Sequence, residues 1–463
     1  MELLTFVLDD TKAEPLYHQL YKYIKIEIQE GRIDYGEKLP SKRKLADHLG
    51  VSQNTVTTAY EQLIDEGYVS AIERRGYFVE KIDNLIILDA PEKRINRDKD
   101  RGLSSIEYDF TYEGVDAKSF PFYTWGRITR EVIDERDNDL LKETESQGDY
   151  HLRHSIAQYL RQSRGVDCHA EDIILSAGTE YLFYILFQLF RGRKLFGIEN
   201  PGYEKLPLLF SRNNVNYVSI DVDENGMPLK GVRDSKADII CITPAHQFPT
   251  GSIMPISRRV QLLNWMNEKN DSYIIEDDYD SEFKYSGRPI PAFKGLKNSD
   301  RVIYMGNFSK SLSPGIRISY MVMPKELMAR YIEELPFMIC PVSTIAQRVL
   351  TRFIDEGYFG RHLNRVRTAY RKKRELLVMT LSQYGGKFKI IGADAGLHIT
   401  VKVNNHMTEE ELVESAKEQS VRVYGLSRYC SKNRDLNRIL LGYANMSDSE
   451  IVKGIQRLSK AWL

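Results

Sequence analysis

Apolar residues in the first 80 positions recur at helical spacing in three short segments. The segment 15–29 carries them about every fourth residue and is followed by Gly31, which predicts an amphipathic helix. Ser41 and Gly50 bound a second helix at 42–49, as its N-cap and its C-terminal stop. Ser52 caps a third helix whose buried face is formed by Val56, Ala59, Tyr60, Leu63 and Ile64. Helices joined at Gly50 in this way predict a helix-turn-helix.

The residues after the third helix predict a wing, because 68–79 contains two short strand patterns around a basic, glycine-containing turn. A winged helix-turn-helix presents the start of its third helix to base edges and phosphates in the major groove, and the wing to the minor groove or its phosphates. A small helical domain that docks onto protein is the alternative. The predicted DNA-binding residues are Lys42, Arg43, Ser52, Gln53, Asn54, Thr55, Thr57, Arg74 and Arg75.

From about residue 106 onward, short apolar runs alternate with amphipathic helical stretches. This alternation predicts a mostly parallel α/β sheet with its chemistry at the carboxyl ends of the strands. A mixed-charge run at 89–101 predicts a linker at 81–105 between an N-terminal domain, 1–80, and a C-terminal domain, 106–463. The predicted buried strands are 173–175, 194–198, 239–242, 273–275 and 302–305.

Composition excludes several classes of protein. Lys+Arg and Asp+Glu each number 65 among 463 residues, so any DNA-binding face must be local. The four cysteines are scattered without C-x-x-C spacing, which argues against a disulfide framework or a zinc site and favours a reducing compartment. The sequence contains no apolar run of the roughly 20 residues that span a bilayer. We therefore expect a soluble, cytoplasmic protein without a metal site or a membrane contact.

Candidate chemistry lies in the loops at the predicted strand ends. The loop 306–317 carries Lys310 and, seven residues later, Arg317, which suits a lysine Schiff base beside a phosphate anchor. The turn 176–180 opens a helix, whose backbone N–H groups suit a phosphate. Asp277 ends a strand and suits a pyridinium nitrogen, with metal binding or helix capping as the alternative. Tyr203 follows another strand and suits stacking on a planar ring.

Two family resemblances extend this interpretation. Residues 12–80, and the stretch 39–63 in particular, resemble the winged-helix domain of GntR-type regulators, although Gln53 stands where that family usually has Arg. From about 107 to the C-terminus, the loops occur in the order of a fold-type I aminotransferase. This pairing resembles the MocR subfamily of bacterial regulators, which implies a multidomain chain with an N-terminal winged helix-turn-helix and a C-terminal α/β domain of the pyridoxal-phosphate-dependent transferase fold.

The resemblance also implies roles for individual residues. Lys310 forms the Schiff base with pyridoxal 5'-phosphate, Asp277 holds the pyridine nitrogen and Tyr279 binds the ring oxygen. Tyr203 stacks on the ring, and Arg428 holds an effector carboxylate, to which Lys205 adds a second positive group. The phosphate is held by Ala177, Gly178, Thr179 and Arg317.

The chain departs from the aminotransferase pattern at two motif positions. Phe248 replaces the asparagine of Asn-Pro-Thr-Gly, and Gln247 is the candidate that replaces its hydrogen bond to the cofactor ring oxygen. Asn307 replaces a serine three residues before the lysine. We expect the cofactor to bind with electronics that differ from those of an efficient enzyme.

The function that follows is a pyridoxal-phosphate-dependent transcription regulator rather than a turnover enzyme. Its aminotransferase-like domain senses an amino compound, or pyridoxal phosphate itself, through aldimine chemistry at Lys310, and a double-stranded DNA operator is its partner. The resemblance further implies a head-to-tail homodimer. Three alternatives stay open: an active aminotransferase with a DNA-binding extension, a regulator with a cofactor-free dimerisation scaffold, and a protein that both regulates and catalyses.

Overall fold

The computed structural model describes residues 8–9, 14–81, 106–191, 194–285, 291–431 and 436–463. The chain divides into two compact units, 1–102 and 103–463, and each is described by itself. The predicted linker falls, from residue 82 on, outside the described residues, so the domain boundaries given above stay predictions. Across the described ranges, no helix combines the length and the apolar character needed to cross a membrane.

Every predicted element of the first unit is present. Its elements are α1 (Leu16–Gln29), α2 (Lys42–Leu49), α3 (Gln53–Asp65), β1 (Val69–Ile72) and β2 (Gly76–Val79). The hydroxyl of Ser41 accepts the N–H of Lys44, and the hydroxyl of Ser52 accepts the N–H of Thr55. Gly50 ends α2 with a φ of +67°, in the left-handed region that glycine adopts without strain. The strands β1 and β2 pair antiparallel to form the wing.

The core of the first unit comes from the apolar faces of α1 and α3. Leu20 and Ile24 of α1, with Val56 and Leu63 of α3, are fully buried. Tyr60 is also buried, and its hydroxyl donates to the Pro40 carbonyl oxygen at 3.0 Å. That bond satisfies the one polar atom the ring brings into the core.

The second unit contains two sheets and their surrounding helices. Its first half contains β3 (Tyr108–Asp109), α4 (Phe122–Asp134), α5 (Tyr150–Arg164), β4 (Ile173–Ser176), α6 (Thr179–Phe190), β5 (Phe196–Asn200), α7 (Lys205–Arg212), β6 (Tyr217–Asp221), α8 (Leu229–Ser235), β7 (Ile239–Ile242), α9 (Ile256–Glu268) and β8 (Tyr273–Asp278). Its second half contains β9 (Val302–Asn307), β10 (Ser319–Val322), α10 (Lys325–Glu334), α11 (Thr344–Asp355), α12 (Tyr358–Ser382), β11 (Phe388–Ile391), β12 (His398–Val403), α13 (Glu409–Glu418), β13 (Val421–Arg422), β14 (Tyr424–Gly425), β15 (Ile439–Gly442) and α14 (Asp448–Trp462).

The larger sheet has seven strands in the order β4-β10-β9-β8-β7-β5-β6. Only β10 runs antiparallel to its neighbours among these described strands, so the predicted mostly parallel sheet is confirmed. The smaller sheet is antiparallel, in the order β11-β12-β15-β14. Because β5, β7, β8 and β9 are parallel, their carboxyl ends meet at one edge of the larger sheet. Asn200, Thr243, Asp277 and Asn307 lie at or directly after these ends.

A buried ion pair fixes the end of β8. Arg164, the last residue of α5, donates from Nε to Oδ2 of Asp278 at 2.7 Å, and the Tyr304 hydroxyl donates to the same oxygen at 2.6 Å. The side chains of Arg164 and Asp278 are 8% and 1% exposed. Since Asp278 follows Asp277 directly, this pair determines where the candidate site residue lies.

We expect Arg164→Met to lower the free energy of unfolding by about 3–5 kcal/mol, because it leaves the Asp278 carboxylate buried without its cation. Urea unfolding of the second unit measures this loss. The double variant Arg164→Met/Asp278→Asn should be more stable than the sum of the two single losses predicts. Strict additivity would show that the two side chains are not energetically coupled.

Candidate functional site

A cavity of about 260 Å³ opens at the carboxyl edge of the larger sheet. Seven of the eight residues that the resemblance assigns to the cofactor line it, and so does Lys205, which the sequence suggests for the effector. Ala177 and Arg428 instead line neighbouring cavities, one beside Arg317 and one beside Tyr112. Ala177 apart, all the predicted cofactor residues therefore share one enclosure: Gly178, Thr179, Tyr203, Asp277, Tyr279, Lys310 and Arg317.

Lys310 lies in the turn after β9, with its amine inside the cavity. Its Nζ donates to the carbonyl oxygen of Tyr112 at 2.6 Å and lies 5.2 Å from the centre of the Tyr112 ring. Burial lowers the pKa of Lys310 to about 8, against a smaller opposing effect of Asp280 and Glu113. A lysine with such a pKa holds a sizeable fraction of uncharged, nucleophilic amine near neutral pH.

Asp277 brings an unpaired carboxylate oxygen to the same cavity. Its Oδ1 is buried and has no hydrogen-bond partner among the described residues. Burial, with repulsion from Asp278 and Asp280, raises the pKa of Asp277 to about 7. A buried polar atom without a partner costs free energy, so this oxygen suits a ligand group that carries an N–H.

The start of α6 and Arg317 form an anion site at another side of the cavity. Gly178 caps α6 with a φ of +140°, and Arg317 lies at a φ of +52° after a short 3-10 turn. Glycine suits position 178 because L side chains rarely adopt a φ of +140°, and an added Cβ would also displace the ends of the Arg317 and Glu180 side chains. Arg317 Nη2 donates to Oε2 of Glu180 at 3.4 Å. Helix N-termini and arginines both attract phosphate.

Tyr279 is held by a buried histidine behind the cavity. Its hydroxyl lies 3.1 Å from Nδ1 of His246, and that nitrogen lies 2.8 Å from Oδ2 of Asp280. The His246 and Asp280 side chains are 0% and 2% exposed. Tyr279 therefore reaches the cavity from a rigid, hydrogen-bonded support.

The expected role of Gln247 is wrong. Its Nε2 donates to the carbonyl oxygens of Pro201 at 3.0 Å and Phe248 at 2.6 Å, while its Oε1 accepts from Thr250. Its amide is used by buried loop backbone, and in the described structure it lies outside the cavity lining. Phe248 and Thr243 line the wall at this point instead.

Tyr112 and Glu113 line the cavity and were missed by the sequence reasoning. Both follow the two-residue strand β3, far upstream of the loops that supply the other residues. The Tyr112 hydroxyl is buried, and among the described residues it has no hydrogen-bond partner. A Thr-Tyr-Glu-Gly segment at 111–114, just after β3, was the available signal, but a two-residue strand gives no periodicity to detect.

The predicted effector residues lie at the Tyr112 end. Lys205 lines the main cavity, and its Nζ lies 5.7 Å from the centre of the Tyr203 ring. Arg428 lines the adjoining cavity, which shares Tyr112 and Glu113 with the main one. The Arg428 guanidinium is already paired with the Glu204 carboxylate.

The nine predicted DNA-binding residues lie on the first unit with their side chains exposed or partly exposed. Arg43 and Arg74 are 84% and 92% exposed, and their acidic neighbours lie at 4.0 Å and 3.9 Å. The Lys42 Nζ lies 5.4 Å from the centre of the Tyr77 ring in the wing. The Ser52 hydroxyl caps α3 and also contacts the Thr55 hydroxyl at 2.9 Å. Both arginines are available to phosphate.

Two protein-family models match the chain. Residues 16–79 match the bacterial regulatory proteins of the gntR family, a helix-turn-helix DNA-binding domain. Residues 120–458 match the class I and II aminotransferases, whose fold implies dependence on pyridoxal phosphate. The multiple substrate aminotransferase of Thermococcus profundus superposes with a TM-score of 0.68 at 23% identity, over 78% of this chain and 91% of that chain. This likeness shows the fold of the second unit.

Whole-length relatives combine both parts. The HTH-type transcriptional regulator YdeL of Bacillus subtilis (strain 168) is 40% identical over 99% of both chains. The probable rhizopine catabolism regulatory protein MocR of Rhizobium meliloti is 31% identical over 99% of this chain and 96% of its own. With a DNA-binding unit, an aminotransferase-like unit and these relatives, the chain belongs to the MocR subfamily of GntR-type transcription regulators.

Proposed function

We propose that this regulator binds pyridoxal phosphate and senses an amino compound, or pyridoxal phosphate itself, through Lys310. The observation that carries the proposal is the shared cavity, in which the Lys310 amine and the unpaired Oδ1 of Asp277 lie with the anion site of Arg317. Each of the three groups suits a different part of the cofactor: Lys310 the aldehyde, Asp277 the pyridine nitrogen and Arg317 the phosphate.

The donor set fits pyridoxal phosphate on physical grounds. When bound, the cofactor supplies an aldehyde that condenses with amines and a protonated ring that withdraws electrons. Asp277 would hold the ring N–H, and the hydrogen bond would satisfy its orphaned oxygen. Arg317, Gly178 and Thr179 would hold the phosphate, with Ala177 behind them. Tyr203 would stack on the cofactor ring, and Tyr279 would bind the ring oxygen.

Within the cavity, the chain's own groups control where protons lie. The lowered pKa of Lys310 supplies free amine, and the Tyr112 carbonyl oxygen orients the amine by accepting a hydrogen bond from it. The raised pKa of Asp277 means that this carboxyl binds a proton near neutral pH unless a cation approaches. Phe248 contributes an apolar ring to the cavity wall.

An active aminotransferase with a DNA-binding extension is the second candidate. The co-location of Lys310, Asp277 and Arg317 favours it, because those groups also serve turnover. The gntR-type unit favours regulation, because a plain enzyme has no need of it. A cofactor-free scaffold is disfavoured by the unpaired carboxylate oxygen of Asp277, which a purely structural cavity would have replaced or satisfied.

The proposed regulator has a defined oligomeric state, a DNA partner and a cellular location. We infer a head-to-tail homodimer that binds a double-stranded DNA operator in the cytoplasm. Paired DNA half-sites suit a dimeric winged-helix protein. For sensing, the ligand must favour one conformational state of the dimer over another.

We expect Asp277→Asn to stabilise the cofactor-free protein more at pH 8 than at pH 5. The pKa of Asp277 is raised from its ordinary value to about 7 in the folded state. The free energy of unfolding is therefore highest below the ordinary pKa, falls as the pH rises toward 7, and has lost the full contribution of this group above 7. The gain from removing the charge is at most about 4 kcal/mol. Thermal unfolding at both pH values measures it, with the exposed Asp300→Asn as control. Equal gains at both pH values would contradict the burial argument.

Visible absorbance reports whether the cofactor is attached at Lys310. Protein purified with pyridoxal phosphate should absorb in the visible, and Lys310→Ala should replace this band with that of the free cofactor. Lys205→Ala, also in the cavity, is the matched control and should keep the band. Amines are then titrated while keto acid is assayed. A lasting spectral shift without product supports sensing, steady keto acid over many turnovers supports the aminotransferase, and a colourless wild type defeats both.

Operator affinity tests the predicted DNA-binding residues of the first unit. Arg43→Ala should weaken operator binding by about tenfold or more, as loss of a good base or phosphate contact does, and should leave the visible band unchanged. Mobility shift at fixed salt measures the affinity. Arg32→Ala, an exposed arginine of the same unit paired with Glu27, is the control. Unchanged affinity in Arg43→Ala would remove that residue from the interface.

A further inference from the structure

The arginine expected to receive a ligand carboxylate already holds one from its own chain. Nε of Arg428 donates to Oε2 of Glu204 at 2.6 Å, and Nη2 donates to Oε1 at 3.0 Å. This two-bond geometry is the one in which an arginine recognises a carboxylate ligand. Glu204 is the better covered partner, with 21% of its side chain exposed against 55% for Arg428.

The backbone brings these two side chains together. Gly202 N–H donates to the Tyr429 carbonyl oxygen at 3.0 Å, and Ser431 N–H donates to Oδ1 of Asn200 at 2.8 Å. The loop before α7 and the loop after β14 are therefore tied to each other beside the pair, through residues that precede Glu204 and residues that follow Arg428. Neither side chain has to search for the other, so little entropy opposes the contact.

The pair lies beside the reactive amine. Arg428 and Glu204 line the adjoining cavity, which shares Tyr112 and Glu113 with the main one. Lys310 donates to the Tyr112 carbonyl oxygen, and Tyr112 also lines the cavity that contains Arg428. A carboxylate on the carbon that bears the ligand's amine would meet Arg428 only by displacing Glu204.

We propose that Glu204 masks Arg428 and selects effectors whose reacting amine has no carboxylate on the same carbon. The effector class is then a primary amine on a simple carbon chain, in preference to an α-amino acid. This inference rests on the proposed function, because it concerns the ligand that reacts at the Lys310 site. Its physical basis is competition, in which one anion excludes another from the same two N–H groups.

The same cavity offers a matched control. Arg422 pairs with Asp109 at 3.2 Å, with 43% and 33% of the two side chains exposed. Asp109→Asn thus weakens the pairing of a second arginine that lines the adjoining cavity and leaves the hydrogen bonds between Arg428 and Glu204 in place. If any extra positive charge nearby improved binding of amino acids, this variant would act like Glu204→Gln.

Two probes that differ by one carboxylate test the proposal. Ethylamine and L-alanine are titrated into the cofactor-loaded protein, and the apparent Kd is read from the visible spectrum. Glu204→Gln should lower the Kd for L-alanine about fivefold, the upper range for a partly exposed ion pair, and change that for ethylamine by less than about twofold. Glu204→Gln/Arg428→Gln should lose the gain, and Asp109→Asn should change neither Kd.

The proposal is overturned if Glu204→Gln shifts both probes equally or shifts neither, or if Asp109→Asn reproduces its effect. Acetate separates this failure from that of the proposed function, since it carries the carboxylate but cannot react with an aldehyde. Acetate should stabilise Glu204→Gln against heat more than the wild type, and not when Arg428→Gln is added. Should no amine shift any spectrum, the proposed sensing of an amino compound fails, and the acetate result alone decides whether Glu204 masks Arg428.

Discussion

The cost of burying carboxylates at the end of β8 is the constraint on which the site depends. Glu276 accepts backbone N–H groups of Phe293 and Lys294, and burial raises its pKa to about 7. Asp278 is paired with Arg164, and Asp280 lies against His246. Asp277, Asp278 and Asp280 each leave one buried oxygen without a partner among the described residues, but of the three only Asp277 lines the cavity. The Asp277 carboxylate is therefore the acceptor in this series that a ligand in the cavity can satisfy.

Local signals in the sequence were enough to predict the first unit. Caps such as Ser41, Gly50 and Ser52 act within a few residues, so the bounds of α2 and α3 could be read directly. The five buried strands were predicted from continuous apolar runs. The strand β6 was missed because it lies at the edge of the sheet with mixed exposure, and β10 because four residues after a turn give little pattern. The smaller sheet was missed as well.

The site was predicted where one motif carries one role and missed where distant segments meet. Asp277 lies near the end of β8, while Lys310 and Arg317 lie in the loop after β9, and the parallel sheet brings such positions together. Tyr112 and Glu204 depend on contacts across the fold that spacing cannot reveal. The error at Gln247 has a physical cause, because a buried amide must satisfy its own polar atoms first and finds loop carbonyls nearer than the cavity.

The hydrogen bond from Lys310 to Tyr112 also connects the reactive amine to the start of the second unit. Tyr112 lies three residues after β3, the first strand of the second unit, and β3 is held by parallel pairing to β13. An amine that becomes covalently engaged gives up a proton and can no longer donate in the same way. The Tyr112 carbonyl oxygen then loses its donor, and the backbone nearest the start of the unit has to find another. Covalent engagement of Lys310 would in this way change the hydrogen bonding of the segment that follows the linker, through a single main-chain atom.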